Sequence, residues 1–96
     1  MTQFDKMEVR MKKLAKDYAI NVFALNQNDD LIPYYLHLRE EIQCALMQMS
    51  QEERNIIAFS FLFPENRNWW KSFYEKKDYD MKKNLALDSF FRCLKL

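Results

Sequence analysis

Residues 66–96 read Asn66-Arg67-Asn68-Trp69-Trp70-Lys71-Ser72-Phe73-Tyr74-Glu75-Lys76-Lys77-Asp78-Tyr79-Asp80-Met81-Lys82-Lys83-Asn84-Leu85-Ala86-Leu87-Asp88-Ser89-Phe90-Phe91-Arg92-Cys93-Leu94-Lys95-Leu96. Trp69, Trp70, Phe73 and Tyr74 recur at helical spacing. A longer run from Asp78 to about Leu94 places Leu85, Ala86, Phe90, Cys93 and Leu94 on one inner face. Between them lies a polar turn. Asp78 suits the cap of the second helix, and Asp80 suits its first turn. A short aromatic helix, a tight turn and a longer basic helix give the outline of a helix-turn-helix. Trp70, with Phe73 or Tyr74, is expected to face the core.

Upstream, Ile56-Ile57-Ala58-Phe59-Ser60-Phe61-Leu62-Phe63 is apolar on nearly every side and follows Ser50-Gln51-Glu52-Glu53, the pattern of a capping box. The expectation is a buried central helix that Pro64 ends, because the residue before a proline avoids helical angles. Before it, Tyr35, Leu38, Ile42, Ala45, Leu46 and Met49 mark one face of a helix from about Leu31 to Met49. Asp29 or Asp30 suits its cap and Pro33 its first turn. The first segment, Thr2 to about Leu25, spaces Phe4, Met7, Met11, Leu14 and Tyr18 by three and four, and Val22 and Leu25 continue the stripe. This long helix either packs on its own domain or forms a short seam to a second copy.

The 96 residues suit one domain, and about half of them are hydrophobic. The chain has no glycine, which makes positive-φ hairpin turns expensive and excludes glycine-rich phosphate loops. The expected fold is therefore all-α, a small orthogonal bundle of about five helices. A long N-terminal helix opens it and a helix-turn-helix closes it. Within the single domain 1–96, residues 1–48 form a helical support or oligomerisation part and 49–96 the helix-turn-helix part. No apolar secretory core or bilayer-length apolar run is visible, and the two cysteines, Cys44 and Cys93, make no metal pattern. These points imply a cytoplasmic protein with reduced thiols. His37, Glu41, Cys44 and Gln48 share one helix face, which reads as a solvated face and not a metal site.

Charge is segregated. Residues 1–28 carry five basic and three acidic groups, residues 29–65 two and seven, and residues 66–96 eight and four. The basic C-terminal end points to an anion-binding face. Lys82 and Lys83 lie in the early turns of the last helix, where a recognition helix makes its contacts.

The layout from about residue 45 to 95 resembles region 4 of bacterial sigma factors and the ArpU-type phage regulators. Ser50-Gln51-Glu52-Glu53-Arg54-Asn55-Ile56-Ile57 is similar to the opening of the sigma domain. Phe73-Tyr74-Glu75-Lys76-Lys77-Asp78-Tyr79 through Ala86 and Phe90 is similar to the ArpU-type tail, a tyrosine-containing turn leading into a basic helix. The resemblance implies a transcription regulator that binds double-stranded DNA, with RNA polymerase as a companion. Carried over by position, Lys76, Lys77, Tyr79, Lys82 and Lys83 would face DNA, beside Asp78, and Arg67 and Lys71 would meet phosphates. Where these families have a small residue and a Ser or Thr at the turn, this chain has Lys76-Lys77-Asp78.

So small a unit binds weakly alone, and the N-terminal helix could join it to a second copy as a homodimer. The competing reading is a helical protein–protein adaptor without a nucleic-acid role, whose methionines Met7, Met11, Met47 and Met49 would line an adaptable groove. An enzyme is not expected. The chain has one histidine, no serine–histidine–acid spacing and no carboxylate pair in an apolar setting. No cofactor, metal or membrane is implied.

Overall fold

The computed structural model describes residues 3–20 and 30–95. Four α-helices follow in order: α1 (Gln3–Tyr18), α2 (Ile32–Met47), α3 (Gln51–Ile57) and α4 (Lys76–Cys93). A π-helical turn, Ala58–Leu62, extends α3, and a 3₁₀ turn, Trp69–Ser72, precedes α4. No strand and no positive-φ residue occurs among the described residues, and a chain without glycine has no residue that adopts positive φ at little cost.

Most of the expected stripe forms the inner face of α1: Met11, Leu14 and Tyr18 are buried with Ala15, and Met7 packs against them, whereas Phe4 at its start is exposed. The stripe is thus used within the domain. The helix stops at Tyr18, short of the expected Leu25; Val22 and Leu25 lie outside the described residues. Arg39 of α2 explains the stop, because its guanidinium bonds the Tyr18 carbonyl and lies 4.4 Å from the Tyr18 ring. An arginine that satisfies a terminal carbonyl does the work of a C-cap.

α2 buries Leu38, Ile42 and Ala45. Its N-cap is Leu31, with no side-chain capping bond; Asp30 makes no cap, Asp29 lies outside the described residues, and Pro33 occupies the first turn as expected. Arg54 closes the other end, donating from Nε to the Leu46 carbonyl at 3.1 Å and from a terminal nitrogen to the Met49 carbonyl at 3.3 Å.

The capping box is present in full. Ser50 Oγ accepts the Glu53 N–H at 3.2 Å, and the Ser50 N–H donates back to Glu53 Oε1 at 3.4 Å. Two otherwise orphaned donors are satisfied. Ser50→Ala is expected to lower stability by about 1 kcal/mol in urea unfolding; no loss would mean that the box does not set this helix start.

The apolar run is not buried all round. Ile56, Ile57, Phe61 and Leu62 enter the core, whereas Phe59 and Phe63 are exposed. The widened last turn, closed by Phe63 N–H on the Ala58 carbonyl at 2.7 Å, changes the direction of the side chains after Ile57. Pro64 then prevents continuation.

The aromatic segment is a 3₁₀ turn and not an α-helix, so the unit before α4 lacks a full first helix. Trp70 Nε1 donates to the Arg67 carbonyl at 3.1 Å and holds that tight geometry. Trp70 and Tyr74 are half-buried and Phe73 points to solvent. α4 begins at Lys76 rather than Asp78: Glu75 is the extended N-cap, without a side-chain bond, and Asp78 falls in the first turn. Its inner face is Tyr79, Ala86, Leu87 and Phe90. Leu85, expected inside, is 55% exposed because a rotation of about 100° per residue carries it past that arc. α4 packs most extensively on α3 and also on α1 and α2, and one apolar cluster draws buried residues from all four helices.

Candidate nucleic-acid interface

The seven residues expected at DNA divide into two groups. Arg67 and Lys71 are exposed on the segment entering α4, and Lys76 and Lys77 are exposed in its first turn. None of these four makes an ion pair among the described residues. Lys71 rests its ammonium 5.9 Å from the Trp70 ring, which leaves its charge available.

The other three are engaged inside the fold. Tyr79 is buried; its ring stacks on Trp70 at 4.9 Å, and its hydroxyl lies 2.6 Å from Ser60 Oγ. Satisfied on both its faces and its hydroxyl, it presents nothing to a base. Lys82 bonds Glu52 of α3 at 2.9 Å. Tyr74 donates to the same carboxylate at 3.1 Å, and the Lys82 ammonium lies 5.6 Å from the Tyr74 ring. The bond from Lys82, with help from Tyr74, holds the Glu52 carboxyl below its usual range, and the same bond pushes the Lys82 ammonium up. Burial and the Glu52 carboxylate push the Tyr74 phenol up. Lys83 pairs with Glu8 of α1 at 3.4 Å and lies 5.5 Å from the Tyr79 ring. These two lysines tie α4 to its neighbours, and nucleic acid would have to compete with carboxylates for them.

A second cross-link fixes the other end of α4. Ser89 donates to Glu53, the residue that also completes the capping box. The Ser89 bond, then those from Ser50, hold the Glu53 carboxyl below its usual range. With Glu52 and Glu53 both committed to α4, α3 fixes the position of the helix along its length.

The outward ridge of α4 was not legible as a face in the sequence, Lys77 apart. Across the helix from its buried arc lie Lys77, Met81, Asn84 and Leu85, with Met81 55% exposed and Asn84 half-buried. The spacing from Lys77 by four and seven was the available signal. Exposed aromatics also surround Trp69, where the helical spacing of the rings had suggested a core face. Phe59 lies 5.4 Å from that ring and Phe73 6.3 Å, and with Asn55 and Tyr74 they border a groove of about 360 Å³. Trp69 Nε1 is buried there without a hydrogen-bond partner among the described residues.

Among the described residues no group of three His, Cys, Asp or Glu is placed to hold a metal ion, and no helix is long and apolar enough to cross a membrane. Cys44 is exposed and Cys93 half-buried, both as free thiols. No family model, curated protein or solved structure matches the chain.

Proposed function

We propose that this chain is a DNA-binding transcription regulator that presents the segment entering α4 and the first turn of α4 to duplex DNA, with RNA polymerase as the companion its sigma-like layout implies. One observation supports the reading most: Arg67, Lys71, Lys76 and Lys77 are exposed and free of ion pairs among the described residues, whereas the other lysines of α4 are paired. Two of them, Lys76 and Lys77, are the first residues of α4. The positive end of a helix dipole disfavours cations there. A locally unfavourable choice is expected where a sequence serves binding rather than folding.

The surface is modest. Glu75, Asp78 and Asp80 stand among the four cations, so affinity for one duplex is weak and a partner or second DNA contact is needed. Four phosphate contacts at most give a slope of log K against log salt no steeper than about −3.6. Fluorescence anisotropy of labelled duplex DNA across a salt series is expected to show weak binding with a slope near −3. No binding at low salt would refute the reading.

The adaptor reading is favoured by a different observation, the exposed rings of Phe59 and Phe73 about Trp69, with exposed Phe63 lining the adjoining groove. Exposed aromatic rings around a groove are what a protein partner fills. Loss of DNA binding in the titration would make that surface the leading one.

A further inference from the structure

We propose that the aromatic grooves beside Trp69 bind an arginine side chain presented by an extended segment of a partner protein. This rests on the adaptor reading, whose surface it uses, and not on DNA binding. Two grooves meet at Phe59 and Trp69. One, of about 360 Å³, runs past Asn55, Phe73 and Tyr74 to Glu52; the other, of about 280 Å³, is bordered by Phe63, Glu65 and Asn66. The local fold turns the rings outward. The π turn sends Phe61 and Leu62 into the core and leaves Phe59 and Phe63 exposed. Such turns break the regular helical bonding and recur at functional sites.

The occupant follows from charge and from the ring faces. The chain has fifteen lysines and arginines, yet no basic residue lines either groove. Each groove has one carboxylate. Glu52 is bonded to Lys82 and Tyr74, whereas the exposed Glu65 makes no ion pair among the described residues. Elsewhere the fold sets its own cations on its rings, with Arg10 4.6 Å from Phe91 and Arg39 4.4 Å from Tyr18. Phe59, Phe63 and Trp69 have no such cation among the described residues. Phe59 and Trp69 are inclined at 53°, so they do not cover each other's faces as Trp70 and Tyr79 do at 3°. A cation arriving from outside therefore meets π faces and an open carboxylate together. A guanidinium suits this setting better than an ammonium. It is flat and weakly hydrated, and it can lie on a ring while donating in parallel to a carboxylate. Gln51 and Asn55, along the first groove, carry amides that donate and accept, as the backbone beside the arginine requires.

The test titrates the full chain with a blocked pentapeptide that has one arginine between pairs of serines. Its counterpart carries citrulline, of the same shape without the charge. Amide and indole NMR shifts are followed. The native chain is expected to bind the arginine peptide at least about fivefold more tightly, with the largest shifts at the Trp69 indole and the Glu65 amide. The Phe59→Leu/Glu65→Gln double variant keeps an apolar side chain but removes a π face and the open charge. It is expected to bind both peptides equally, at the citrulline level, with unchanged helicity because both side chains are exposed. Equal binding of the two peptides by the native chain, or a preference that survives the double variant, overturns arginine recognition and leaves an apolar adaptor surface standing. No saturable shift with either peptide overturns both the inference and the adaptor role of these grooves.

Discussion

Phe90→Ala is expected to lower unfolding stability by about 3–5 kcal/mol, the largest single loss available in this fold. The ring is fully buried on the inner face of α4, the helix that packs on each of the other three. Removing it leaves a cavity where α1, α2 and α3 converge, and only part of that space can be refilled. Small domains have about 5–15 kcal/mol in all, so the variant stays folded by a narrow margin or not at all. By thermal denaturation the midpoint should fall by roughly 15–30 °C. Phe91→Ala is the matched comparison. That ring is half-buried, with Arg10 stacked 4.6 Å above it, and its loss should be clearly smaller. Equal losses would mean that α4 is rotated from the orientation described.

Reversing Arg67, Lys71, Lys76 and Lys77 together to glutamate is expected to lower duplex affinity by at least about a hundredfold at low salt and to flatten the salt slope. The fold should not suffer. Glutamate at the first two positions of α4 interacts favourably with the helix dipole, so thermal stability should hold or rise slightly. This opposite movement of binding and stability is informative, because a structural role for the four cations would lower both. Lys82→Glu is the contrasting variant. It places a second carboxylate against Glu52 and should loosen the α3–α4 contact, lowering stability first.

The parts of the fold that could be read from sequence are those governed by neighbours in the chain. Ser50 and Glu53 are three residues apart, and their reciprocal bonds formed as the pattern implied. From Met7 to Tyr18 the inner face of α1 followed its three–four spacing. Two features escaped for a physical reason. The π turn at Ala58–Leu62 arises because the chain must turn at Pro64 while keeping Phe61 and Leu62 inside, which is a tertiary demand. The 3₁₀ turn of Trp69–Ser72 has helical spacing of its rings but too short a run to complete an α-helix.

At the candidate interface, sequence supplied the basic residues but not their state. Lys82 and Lys83 look equivalent to Lys76 and Lys77 on paper. Their partners lie 30 and 75 residues away, at Glu52 and Glu8. No local pattern reports a partner at that distance, and this is why the predicted DNA-facing set was broader than the free set.

The contact between α1 and α4 has a consequence for how the molecule comes into being. α1 must dock against α4, which is made only after α2 and α3. Until residues near Phe90 have been made, Met11, Leu14 and Tyr18 have lost a principal wall of their enclosure. A nascent chain paused between α3 and α4 therefore carries α1 covered only by α2 and the Ala58–Leu62 turn, a substrate for holding chaperones and a hazard for self-association. Topology here makes synthesis of α4 the trigger for the full burial of α1, so slow translation through the stretch between Pro64 and Lys76 lengthens the vulnerable interval rather than easing folding.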